Sequence, residues 1–353
     1  MHNKTKINKK ILIQTFVIFC TFMFLVALIN LFKDNFGIFK NNYSKQEIVP
    51  NERYIRMKHL IKNPNKYDTL VIGSSRIAYI NVKDELGINV YSFSAPYLSP
   101  YEVSRMVKVL VGKGVKIKWI IYGLENEALR LPGNQTGYAR GNDIANLSYP
   151  VTLAEKIRFY SSYLFYFPFI DKTKRDIWIG QEYILDSGTW SQDYENSTKK
   201  YKEKNKHIKF LFGPPFKSEI PYNEKNIDYL KDLSDVCKKN NIKLTIFFSP
   251  ETYDSYLLND VATFNTYKKK IAKFTPYYDF SGKNKITKAK SNFENRDHYN
   301  YKTAQYIAKV IKEDKKEQNI DGDYGHFITE KNVDKILSDE CKNTPNIKNC
   351  VPK

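Results

Sequence analysis

The chain opens on an uninterrupted apolar run. Residues 11–32 contain no charged side chain, and Gln14, Thr15, Thr21 and Asn30 are the strongly polar interruptions. As a helix this run is about 33 Å long, enough to cross the hydrocarbon of a bilayer. Lys4, Lys6, Lys9 and Lys10 precede it, so the positive-inside rule puts residues 1–10 in the cytoplasm and everything after Phe32 outside. Leu31-Phe32-Lys33-Asp34 offers no small-residue cleavage site, and bulky Phe19 precedes Cys20. The run therefore reads as an uncleaved, single-pass signal anchor in the inner or plasma membrane, not as a signal peptide or a lipoprotein leader. Residues 33–66 lack strong periodicity and read as a juxtamembrane stalk with one short helix over 51–61.

Short apolar runs then alternate with helical patterns. Runs at 69–72, 90–93, 119–122, 243–248 and 277–280 predict strands, and the alternation predicts an α/β domain whose parallel sheet is covered on both faces. Ser99 and Glu102 spell a capping box with Pro100 at the first helical position, and Gly112 can close that helix. Val103, Met106, Val107 and Leu110 form its buried stripe. A second helix starts near Asn300, with Ala304, Ile307, Ala308 and Ile311 on one face. The domain is expected over 67–315, with a C-terminal extension over 316–353. Within it, residues 130–220 break the alternation and read as an insertion over the sheet's active edge. The aromatic stretch at 159–169 is expected to be core packing.

Charge and cysteines add limits. The net charge of +19 could point to nucleic acid, but the lysines are scattered and not interleaved with aromatics, and an exported domain seldom meets that partner. Cys341 and Cys350 bracket a short polar loop that an oxidising compartment would allow to close as a disulfide, and Cys237 reads as a buried free thiol. No Cys/His spacing resembles a zinc site, so no metal is expected.

Candidate chemistry gathers around Asp68-Thr69-Leu70-Val71-Ile72-Gly73-Ser74-Ser75-Arg76. The apolar strand ends at Gly73, which frees the backbone to turn and lets Ser75 emerge beyond the carboxyl end of the sheet, where ligands bind in open α/β folds. A serine nucleophile needs a base. Of the five histidines, His2 is placed in the cytoplasm, His59 in the stalk, His207 in a lysine-rich stretch and His326 in a late loop. His298 precedes the last core helix, flanked by Asp297 and Tyr299.

The order of these blocks resembles the SGNH/GDSL hydrolase superfamily over residues 67–312. Gly73-Ser74-Ser75-Arg76 stands for the Gly-Asp-Ser-Leu block, with Ser75 on its nucleophile, and Asp279-Phe280-Ser281-Gly282 and His298-Tyr299-Asn300 match later blocks of membrane-anchored branches. The resemblance implies a three-layer αβα, flavodoxin-like sandwich without a cofactor. It implies Ser75 and His298 as catalytic residues, with Asn295, Asp297 or Glu294 as the group orienting the histidine. Asn295 occupies the position of the usual acid, three residues before His298. Gly73, Ser74, Arg76, Ala95, Asn126 and Tyr299 become oxyanion or substrate-binding candidates, although Ser94-Ala95-Pro96 and Gly123-Leu124-Glu125-Asn126 depart from the family's second and third blocks. By this resemblance the chain is expected to transfer an acyl group, most simply acetyl, to a cell-surface polysaccharide through an acyl-serine, beside a membrane-bound O-acyltransferase partner. An esterase of the same fold, or a scaffold without activity that assists envelope glycan assembly, is the competing expectation.

Overall fold

The computed structural model describes residues 9–40, 50–80, 82–131, 147–167, 183–184, 186–190 and 220–342. The tail lysines Lys4 and Lys6, much of the insertion, Phe169, His207 and Cys350 lie outside them. Helix α1 (Lys9–Lys33) leads to α2 (Glu52–Lys62), β1 (Thr69–Gly73), β2 (Val90–Ser94), α3 (Pro100–Gly112), β3 (Trp119–Leu124) and α4 (Leu153–Leu164). A hairpin of β4 (Tyr183–Ile184) and β5 (Thr189–Trp190) follows, then α5 (Lys225–Lys239), β6 (Lys243–Phe248), α6 (Val261–Ala272) and β7 (Tyr277–Asp279). The described chain closes with α7 (Tyr301–Lys312), β8 (His326–Ile328) and α8 (Val333–Lys342).

Six strands form one sheet in the order β2-β1-β3-β6-β7-β8. Every pairing is parallel except β7 with β8, so the fold is α/β with a mixed, mostly parallel sheet. The five apolar runs all become strands. The eighth strand was not anticipated, because three residues beginning with a half-exposed histidine at a sheet edge carry no alternation to read. Successive residues of a strand face opposite sides of a sheet: Leu70 and Ile72 of β1 enter one hydrophobic cluster and Val71 the other. The first cluster takes apolar faces from α2, α3, α5 and α6, and the second takes that of α7. A continuous apolar run is what such two-sided burial demands.

The α3 start forms as its sequence predicts. Ser99 Oγ accepts from Glu102 N, and the Glu102 carboxylate accepts from Ser99 N, both at 3.3 Å. The same carboxylate also takes Arg53 Nε at 2.9 Å in a buried ion pair.

Arg53 belongs to α2, which the sequence assigns to a stalk. Its helix starts where expected, capped by Asn51, but Met57 and Leu60 sit in the main core and Tyr54 packs on Phe159. Residues 52–62 are thus built into the domain. The extension after 315 is likewise integral: β8 completes the sheet edge, and Val333, Ile336 and Leu337 of α8 enter the core. Cys341 is disulfide-bonded and Cys237 is a buried free thiol. Helix α1, with 25 residues, is long and apolar enough to cross a membrane.

Arg56 is fully buried. Its guanidinium pairs with Glu52 and donates to Ser94 O and, at 2.9 Å, to Gly188 O, fastening α2 to the end of β2 and to the β4–β5 turn. Arg56→Ala removes the guanidinium from the Glu52 carboxylate and from two carbonyls, and should cost about 3–5 kcal/mol, read as a lowered denaturation midpoint. The double variant Glu52→Gln with Arg56→Met should recover part of that loss, because the unpaired charge is then absent.

Candidate active site

The parallel register aligns the carboxyl ends of three strands. Gly73 lies opposite Ser94 on one side and Gly123 on the other. A Cβ at Gly73 would stand 2.8 Å from both Gly123 O and Ile77 Cγ2, so glycine is a packing requirement here. The chain then enters a short 3-10 turn, Ser75–Tyr79, whose cap is Ser74: its Oγ accepts from Arg76 N at 3.1 Å. Ser75 occupies the first position of that turn. It is half-buried and therefore reachable.

His298 comes from a tight loop between Phe293 and Tyr299, which form a bridge with each other. Its Nε2 is 2.8 Å from Ser75 Oγ. Its Nδ1 is 3.0 Å from Asn295 Oδ1. The same Oδ1 accepts from the backbone N–H groups of Asp297 and His298, each at 2.9 Å. Two backbone donors identify that atom as the amide oxygen, since an NH2 group could not accept them. Facing an oxygen, Nδ1 must carry the proton, which leaves the Nε2 lone pair directed at the serine hydroxyl. Ser75, His298 and Asn295 therefore form a hydrogen-bonded chain with the polarity that serine activation requires.

Of the three candidates for the orienting group, Asn295 holds that position. Asp297 instead pairs with Arg296 at 3.3 Å, and Glu294 donates its backbone N–H to His298 O at 2.9 Å.

Beside the serine lies a charged group that sequence reasoning had not assembled. Arg76 is buried with Glu125 at 3.7 Å and Glu127 at 3.3 Å, while Glu125 also accepts from Ser74 Oγ. Burial opposes the Arg76 charge, but Glu127 and Glu125 outweigh it and raise its pKa. Burial raises Glu125 despite Arg76, and burial together with Glu127 lifts Glu251 to about 8. Arg76 is thus committed to internal carboxylates and is not a free anion receptor. The signal for this was the density of acids in Glu125-Asn126-Glu127, but Glu251, more than a hundred residues away, gave none.

The remaining candidates divide. Ala95 N donates to Gly73 O at 3.0 Å, which removes that amide from oxyanion duty. Tyr299 is fully buried in the second core cluster, its ring tilted against that of Tyr79, and so is withdrawn from substrate. Asn126 follows β3; its Oδ1 accepts from Tyr222 OH, and its buried Nδ2 has no partner among the described residues. A buried donor without an acceptor is what an oxyanion would satisfy. Ser75 N–H, first in its turn, has no acceptor within the turn by geometry. No group of three or more His, Cys, Asp and Glu suited to a metal occurs among the described residues.

No protein-family model matches the chain, and no curated protein is significantly similar to it. The site must be argued from its own geometry.

Desolvation and the Arg76 charge lower His298 to about 4. The neutral, basic form then prevails above that pH and is lost only as pH falls through about 4, so the acid limb of kcat/KM should lie well below the usual histidine range. Asn295→Asp places a negative charge beside Nδ1, favours the imidazolium and should move that limb upward. The same charge should raise the neutral-pH rate by about tenfold or more. A pH–rate series on both proteins with a chromogenic acetyl ester checks both outcomes.

Proposed function

We propose that this chain is an exported, membrane-anchored acyl-ester enzyme of the SGNH type that transfers an acyl group, most simply acetyl, to a cell-surface polysaccharide. One observation carries the chemistry: Ser75 Oγ stands 2.8 Å from a histidine nitrogen whose lone pair is fixed by Asn295 on the far side of the ring. Ser75 lying beyond β1 and His298 before α7, with apolar clusters on both faces of the sheet, supports the three-layer, flavodoxin-like arrangement. Helix α1 supports membrane anchoring, with the tail lysines inside and the site outside.

The step balances simply. His298 Nε2 takes the hydroxyl proton as Ser75 Oγ bonds to the ester carbonyl carbon, and the carbonyl oxygen becomes an oxyanion for the Ser75 amide and Asn126 Nδ2. Collapse breaks the ester bond, His298 returns the proton to the leaving alcohol, and an acyl-serine remains. A sugar hydroxyl, deprotonated by the same nitrogen, then bonds to the acyl carbon, the Ser75 Oγ–acyl bond breaks, and His298 returns the proton to Ser75 Oγ. Water in its place gives the esterase.

The competing scaffold reading draws on Asn295, which cannot neutralise an imidazolium as a carboxylate does, and on the occupied Ala95 amide. A fluorophosphonate probe separates the two. Covalent labelling of the wild-type chain, absent in Ser75→Ala and reduced by at least about a hundredfold in rate in His298→Ala, is the expected result. Labelling of Ser75→Ala equal to wild type, or none of any form, would sink the assignment. Acylated glycan detected by mass spectrometry after supplying an acyl donor distinguishes transferase from esterase.

A further inference from the structure

Helix α4 is apolar on two faces, and only one of them is used. Phe159 and Tyr163 pack with Phe36, Ile38 and Tyr54. On the other side Leu153 is 74% exposed and Ile157 61% exposed, and Phe165 just beyond the helix is 40% exposed. Leu153, Ile157 and half-buried Leu164 fall at i, i+4 and i+11, one stripe of a helix, and exposed Lys156 and Arg158 lie on either side of it. A helix with an apolar face bordered by cations lies in the plane of a membrane interface, its chains in lipid and its charges among headgroups.

The end of α4 meets α1. Asn30, the last strongly polar residue of the apolar run and only 8% exposed, donates through Nδ2 to Leu164 O at 2.8 Å and Tyr166 O at 2.7 Å. Farther along, Phe167 stacks on Phe22, ring centroids 6.2 Å apart. Phe22 stands eight residues before Asn30, about 12 Å deeper along the helix, near the middle of the run over 11–32. If α1 crosses a bilayer, the chain around 164–167 follows it below the interface. Unpaired carbonyls are costly in hydrocarbon, and Asn30 supplies the donor that two of them need.

We infer that α4 and the segment through Phe167 form a second membrane contact, inserting into the outer leaflet beside α1. The occupant of the exposed face is lipid, because that face continues the apolar surface of α1 and carries a cationic border suited to anionic headgroups. The inference rests on α1 spanning the bilayer and is independent of the chemistry at Ser75.

The test uses the full chain in vesicles of phosphatidylcholine and phosphatidylglycerol, with an environment-sensitive fluorophore on single cysteines and doxyl-labelled lipid as quencher. Cys20 reports α1. Ile157→Cys and Phe165→Cys, each with Cys20→Ser, report the new contact; Leu153→Cys serves if either fails to fold. Ile88→Cys, also with Cys20→Ser and at a residue 79% exposed before β2, reports water. Quenching at 157 and 165 at least about twofold stronger than at 88 is expected of an interfacial helix. Strong quenching at Cys20 with 157 and 165 behaving like 88 would overturn the second contact while leaving the anchor in place. No quenching at Cys20 would remove the anchor itself, and the inference with it.

Discussion

The candidate site hangs on the close approach of β1 and β3 at their carboxyl ends. Gly73 and Gly123 lie opposite each other, and neither strand could carry a side chain there without meeting backbone, Ile77 or Phe247. With that contact made, Gly73 O is presented to Ala95 N, the 3-10 turn starts at Ser75, and Asn126 follows β3 a few residues beyond the pair. Parallel sheets place reactive groups beyond their strand ends because the side chains within the strands are consumed by the two cores. The glycine pair is where packing stops and chemistry begins. It also explains why the candidate nucleophile stands on a 3-10 turn: Ile77, two residues later in that turn, fills the space that the two missing side chains leave.

Much of this was legible from the chain because burial on both faces leaves a direct signature. Five strands could be placed from apolar runs alone, and the α3 cap from Ser99 and Glu102. Ser75 and His298 stood out as residue types at the ends of elements. What stayed hidden was what depends on three-dimensional partnership. Glu102 reads as a capping residue and is also the counter-ion of Arg53. Arg53 and Arg56 fall in the short helix assigned to a stalk, yet both are buried, because Glu102 and Glu52 wait for them in the fold. The Asp279-Phe280-Ser281-Gly282 segment carries part of the family resemblance; in the structure Asp279 makes a fully buried pair with Lys268 at 2.8 Å and accepts from Ser281 Oγ at 2.6 Å. Charge burial of this kind has no periodicity.

Asn295 sets the electrostatic character of the proposed chemistry. An aspartate at its place would orient His298 and also stabilise its cation; an asparagine only orients. Arg76 adds to the deficit by opposing a second positive charge nearby. The base is therefore weak but available at every pH above about 4. Such a base suits a good leaving group, such as an activated acyl donor, better than an unactivated ester, because less proton transfer is needed when the leaving group departs readily. That preference favours transfer from a reactive donor over hydrolysis of a stable one.

Helix α2 connects the candidate site with the aromatic cluster near the end of α1. Its Tyr54 packs against Phe159, Tyr149 and Tyr160 around α4. One residue before Tyr54 and two after it, Arg53 donates to Pro96 O and Arg56 to Ser94 O, the carbonyls that flank Ala95 beside the Ser75 turn. A single eleven-residue helix thus joins the aromatic cluster at the end of α1 to the loop that closes one side of the site. Buried guanidinium groups held by carboxylates resist sliding, since each shift would strand a charge in the interior. Helix α2 and the loop around Ala95 are consequently held in one register. Under the proposed function, the same packing would hold Ser75 at a fixed height and orientation toward a substrate presented at the membrane surface.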